Sequence, residues 1–155
     1  MKGELTMVTT ISCLNGNLRF RASDLLSESD SKEDHDLVEM VRQVLIEVVE
    51  KLVPVLTYVD KVITGVDQVI IDVRGIEVVH EGGFSLILDR AGNWYRFDGL
   101  RADKEDNAWQ RFFVSDVLEG LEKAFTEATE KKKKHLAAIE ARRSMLQKIL
   151  DVVHS

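Results

Sequence analysis

Apolar residues recur three and four apart through the first half of the chain: Val38, Val41, Leu45, Val48, Leu52, Val55, Val59 and Val62. That spacing places all of them on one stripe of an α-helix. Flanking positions are apolar too, among them Leu37, Met40, Val44, Ile46, Val49, Val53, Leu56 and Ile63. A helix apolar around so much of its circumference must be covered on several sides. The pattern predicts a helix over about 36–64, with Asp34 and Asp36 at its N-terminal end and Gly65 as its stop. Pro54, the only proline, falls inside it and predicts a kink near 50–54, because it lacks an amide donor and crowds the carbonyl of Glu50.

A second stripe with the same spacing runs Leu118, Leu121, Phe125, Ala128, Lys132, His135, Ile139, Arg142, Leu146, Ile149 and Val153. It predicts a helix over 115–153, with Ser115 as N-cap and Asp116 in the first turn. Such a helix would be roughly 58 Å long, whereas a compact domain of this size has a radius of gyration of about 15 Å. Part of it is therefore expected to project or to pack on another chain. Its last turns hold Met145, Leu146, Ile149, Leu150, Val152 and Val153, which need a partner.

Between the stripes the period changes to strand chemistry. Val69–Val73, Ile76–His80, Phe84–Leu88 and Trp94–Phe97 are separated by Arg74-Gly75, Glu81-Gly82-Gly83 and Ala91-Gly92-Asn93. This predicts an antiparallel meander. Residues 101–108 read as loop, and propensity does not decide whether 109–114 are strand or helix. Residues 7–21 predict an N-terminal hairpin around Asn15-Gly16, a pair suited to the positive φ angles of a type I′ turn. Residues 22–35 are serine-rich and acidic and are expected to be a mobile linker. The expected fold is one α+β domain over 1–155: an antiparallel meander plus an N-terminal hairpin packed with two long helices.

Composition narrows the function classes. The chain has 155 residues, 45% of them hydrophobic and 31% charged, as expected of a packed globular domain. A net charge of −6 argues against a dedicated nucleic-acid binder. Cys13 is the only cysteine, which excludes an intrachain disulfide and a zinc site needing two thiolates, and suits a reducing cytoplasm. No basic flank and apolar run at 1–10 mark a signal peptide. The ionic residues of 37–63, among them Glu39, Arg42, Glu47, Glu50 and Lys51, argue against a membrane span.

Candidate chemistry is sparse. Lys131, Lys132, Lys133, Lys134, Arg142 and Arg143 form a basic stripe that is a candidate polyanion contact. Against that reading, Glu127 and Glu130 stand four residues before Lys131 and Lys134 in the favourable order, and no aromatic interleaves for base stacking. His35, His80, His135 and His154 have no metal-ligand spacing, and no metal or cofactor is expected. Asp72, Glu77, Glu81 and Asp89 lie on strands with no lysine between residues 62 and 103 to complete a carboxylate-and-lysine nuclease site.

The stretch Asp72-Val-Arg-Gly75-Ile-Glu-Val-Val-His-Glu-Gly-Gly83-Phe resembles the strand–turn–helix signature of the STAS (anti-sigma-factor antagonist) family. The resemblance implies a helix after Gly83 and puts that family's phosphorylatable Ser or Thr at Glu81. This sequence departs from it at both points, since Glu81 cannot be phosphorylated and Phe84–Leu88 alternates like a strand. The order of long helix, hairpins and long helix is similar in layout to the prefoldin chaperones.

The expected function is that of a non-catalytic interaction or assembly protein: an adaptor, inhibitor or structural subunit, present as a homodimer or with another protein. The expected interface is Leu136, Ile139, Leu146, Ile149, Leu150 and Val153. The alternatives are a nucleic-acid-associated protein using the basic stripe, and a small enzyme using Asp72, Glu77 or His80 in a cleft.

Overall fold

The computed structural model describes residues 16–28 and 31–155. Among these the fold is α+β, with a five-stranded antiparallel sheet and three helices. The first arm of the expected hairpin and Cys13 lie outside the described residues. The outgoing arm joins no strand of the sheet. Instead Leu18 and Phe20 accept backbone hydrogen bonds from Ser115 and Val114, and Arg21 bridges to Phe113.

The expected linker over 22–35 is largely helical. Helix α1 is Ala22–Glu28, with Ala22 fully buried and Leu25 and Leu26 packed against the core. These apolar side chains outweigh the charge pattern that suggested a linker. Ser31 then caps helix α2, Lys32–Leu56, by accepting from the amide of Asp34 at 3.1 Å. Helix α2 begins earlier than expected and ends earlier. Of the predicted stripe, Val38, Val41, Leu45, Val48, Leu52 and Val55 are buried.

The helix does not continue beyond Leu56 to residue 64. The chain leaves it two residues after Pro54, through amides of Tyr58, Val59 and Asp60 bonded to Val55 and Leu56 carbonyls. Pro54 leaves the last turn one hydrogen bond short. The β-branched residues beyond gain more by pairing in the sheet as strand β1, Lys61–Thr64. In that strand Ile63 is buried and the stripe residue Val62 is exposed. The junction is held by Asp60, whose buried carboxylate accepts from Arg74 Nε at 3.0 Å and from Arg90 Nε and Nη2 at 2.9 and 2.6 Å.

The meander follows as β2 (Ile70–Glu81), β3 (Phe84–Asp89), β4 (Trp94–Phe97) and β5 (Ala102–Lys104), each paired with the next. Strand β2 runs straight through the expected turn at Arg74-Gly75. A Cβ on Gly75 would lie 2.9 Å from Asp89 Cα, so glycine serves close strand approach there. The turn at Gly82-Gly83 is as expected, with φ of 58° and 83°. Phe84–Asp89 is strand and not helix, against the STAS-like signature. The fifth strand comes from 102–104, read as loop, and residues 108–111 form a 3₁₀ turn.

Each face of the sheet has its own core. Ile76, Val79, Leu86, Leu88 and Trp94 join the helix-side cluster with α2 and Trp109. A register shift between Glu77 and Val79 lets neighbouring Val78 and Val79 both be buried. The opposite face holds a second cluster of Ile63, Val73, Ile87 and Phe97, flanked by Ile71, Tyr95 and Ala102. The sheet curls over this cluster until the segment after β1 meets the β4–β5 turn, where Val66 N–H donates to Gly99 O at 2.8 Å.

Asp98 shapes that turn. Its Oδ1 accepts from the amides of Arg101 and Leu100, both at 2.9 Å, which holds its carboxyl below the usual range. The fold therefore favours the ionised form. This contribution is complete above the ordinary aspartate pKa of about 3.9 and is lost as pH falls through the lowered value. Amide exchange at Leu100 and Arg101 is expected to accelerate below about pH 3.9 relative to the intrinsic rate, and Asp98→Asn is expected to remove that pH response. A wild-type exchange profile flat to lower pH would contradict the assignment.

Candidate protein-interaction surface

Helix α3, Val114–Val153, starts one residue before the expected Ser115 cap. Ser115 instead lies buried in the first turn, and its N–H donates to Leu18 O. The preceding strand-like contact with 18–21 thus takes the place of a side-chain cap. The first half of α3 behaves as its stripe predicts: Val117, Leu118, Leu121, Ala124 and Ala128 are buried.

Helix α3 runs in the same direction as α2. Arg42 in α2 donates to Asn107 Oδ1 at 2.9 Å and lies over Trp109, just before α3 begins. His135 meets the Tyr58 ring at a centroid distance of 5.8 Å, just past the end of α2. The remaining 18 residues to Val153 extend about 27 Å further along the axis.

On that extension Leu136, Met145, Leu146, Ile149, Leu150, Val152 and Val153 are 48–74% exposed. Ile139 is half-buried. Leu136, Ile139, Arg143, Leu146, Leu150 and Val153 follow a three–four spacing, which places them on one stripe of the helix. The interface residues expected from sequence therefore share one continuous helical segment.

The basic stripe occupies the same extension. Lys131 pairs with Glu127 at 3.1 Å, and Arg143 lies 3.5 Å from Glu140. Lys132 is half-buried, while Lys133, Lys134 and Arg142 are exposed. The outward side of α2 is the electrostatic opposite: Glu33, Asp36, Glu39, Glu47 and Glu50 are exposed there beside exposed Leu37, Met40 and Ile46.

Of the candidate enzyme residues, Glu77 and His80 come together, 3.9 Å apart, around Ser85. Ser85 Oγ donates to Glu77 Oε2 at 2.7 Å and lies 2.8 Å from His80 Nδ1. With its only proton directed at Glu77, the hydroxyl is an acceptor towards His80. A catalytic serine needs the reverse, donating to the imidazole. Asp72 belongs to none of these contacts and is exposed on β2. Among the described residues no group of three His, Cys, Asp or Glu side chains is placed to hold a metal ion. No described helix is long and apolar enough to cross a membrane.

Sequence reading missed one side-chain cluster. Arg21, Arg96 and Arg111 come together around a single cavity, although they are 75 and 15 residues apart. No local motif signals it, because the three belong to separate elements that meet only through strand order and the docking of α1. Comparison of the chain with protein-family models, curated proteins and solved structures finds no match.

Proposed function

We propose that this protein is a non-catalytic assembly module whose C-terminal helix docks on another protein surface, and that its first partner is a second copy of the same chain. The observation that supports this reading is the exposed apolar seam of residues 136–153. A helical segment of this length is marginal in water without tertiary packing, so its apolar face needs cover. The occupant follows from charge. Residues 131–148 carry seven basic side chains and one acid, so two such segments repel each other. The outward face of α2 offers exposed acids among apolar residues, a complementary surface. The parallel course of α2 and α3 carries the extension away from its own α2 face. Reciprocal exchange, tail on partner α2 and partner tail on α2, closes a two-fold dimer.

Light scattering over a concentration series tests this. The expected mass is twice 17.6 kDa, falling to a single chain in the double variant L146E/L150E. Thermal stability of that variant at monomeric concentrations is expected to stay within about 0.5 kcal/mol of the parent, since both side chains are exposed in the protomer. High salt should also weaken the dimer. A mass of 17.6 kDa at every concentration would reject self-association. Salt-sensitive retention on a polyanion column, lost when Lys131–Lys134 become Gln, would support the nucleic-acid reading instead.

A further inference from the structure

The arginine cluster stands apart from the C-terminal helix. Its cavity of about 330 Å³ lies where β4, the β2–β3 hairpin end, the residues entering α1 and the 108–111 turn converge, and it is lined by Arg21, Ser23, Glu81, Phe84, Arg96 and Arg111 among others. A neighbouring hollow of about 270 Å³ shares Ser23 and Arg111 with it. In a chain of net charge −6, three guanidinium groups around one hollow are a local reversal of sign.

Nearby carboxylates leave part of that charge uncommitted. Glu81 is bonded to Arg21. Glu105 forms a looser ion pair with Arg111, Oε2 to Nε 3.7 Å, too long for a hydrogen bond. Arg96 has no carboxylate partner among the described residues, and its Nε is buried without an acceptor. Two of the groups also lie over aromatic rings. The Arg96 guanidinium lies 4.2 Å from the Phe84 ring centre, and that of Arg21 lies 3.9 Å from the ring centre of Phe113. A cation–π contact restrains a guanidinium without using its N–H donors.

We propose that this cavity binds the phosphate of a phosphomonoester. A dianionic tetrahedral group presents three terminal oxygens to donors arriving from three elements, and Arg forks match phosphate geometry in bidentate fashion. A carboxylate has one charge and two oxygens, and satisfies fewer of these donors. The volume also leaves room beyond the phosphate for the first atoms of whatever carries it. The same chemistry is offered by a small phosphorylated metabolite and by a phosphorylated side chain of a partner protein.

Calorimetric titration of the full chain at fixed ionic strength separates the outcomes, using inorganic phosphate, O-phosphoserine and a phosphoserine peptide in turn. Inorganic phosphate is expected to bind once per chain. Arg96→Gln is expected to weaken it at least tenfold, and Arg111→Gln severalfold. Arg111 is exposed, so its variant remains informative if Arg96→Gln fails to fold. A peptide much tighter than O-phosphoserine would identify a protein source, and equal affinities a small molecule. Heats no larger than those of chloride, or phosphate affinity unchanged in the folded variants, would overturn the proposal.

Discussion

Trp109→Ala is expected to cost about 3–5 kcal/mol of folding stability, the largest single-residue effect in the molecule. Trp109 is 2% exposed on the 3₁₀ turn and belongs to the helix-side core. Its turn packs against α1 and β4 and stands at the entry to α3. Truncation removes the ring's burial and leaves a void bounded by rigid elements that cannot all collapse inward. For a chain of this size the midpoint of thermal unfolding should fall by about 10 °C or more. Circular dichroism is the suitable readout, because the substitution removes one of two tryptophans and changes the fluorescence baseline. Leu146→Ala provides the contrast: Leu146 is 61% exposed, and its change should move the protomer by no more than about 0.5 kcal/mol. A loss below about 1 kcal/mol for Trp109→Ala would mean that the turn is not part of the cooperative core.

Gly120→Ala is expected to destabilise by about 2–3 kcal/mol, although alanine is the better helix former. Intrinsic propensity alone favours the substitution by about 1 kcal/mol. The packing of α3 on β2 opposes it. A Cβ at position 120 would lie 2.9 Å from both the carbonyl carbon and Cγ1 of Val78, and closer still to the carbonyl oxygen. Backbone cannot swing aside as a side chain does, so α3 must lift from the sheet and loosen Val117, Leu121 and Ala124 around the contact. Urea denaturation reads the sign directly. A stabilised variant would show that α3 does not sit on β2 at this separation.

Much of the fold is legible in the chain because burial imposes a period. The stripe from Val38 to Val55 is read as one helical face and is found so, and Leu118 to Ala128 likewise. The Gly82-Gly83 turn follows from the positive φ that both positions adopt. The exposed seam from Leu136 to Val153 is also visible beforehand, since its spacing persists where the segment becomes too polar and too long for its own domain to cover. The acidic composition of 22–35 suggested a linker, whereas Ala22–Glu28 is helical and Ala22, Leu25 and Leu26 pack on the core.

The arginine cavity had no such signal. Its members share no element and no spacing, and stacking on Phe84 and Phe113 is a property of the assembled surface. The same holds for Asp60, which reads as one more polar position until Arg74 and Arg90 converge on it.

By itself the amino-acid order determined the periods: two long helical stripes, a run of short strands, a segregated charge layout and an apolar helical end. Tertiary structure decided where the chain turns from helix to strand, because Lys61–Thr64 fits either conformation locally and pairing with β2 favours the strand. It alone also drew three distant guanidinium groups around one hollow. Local preference is a difference of tenths of a kcal/mol per residue, and long-range pairing and burial outweigh it wherever two conformations are nearly balanced.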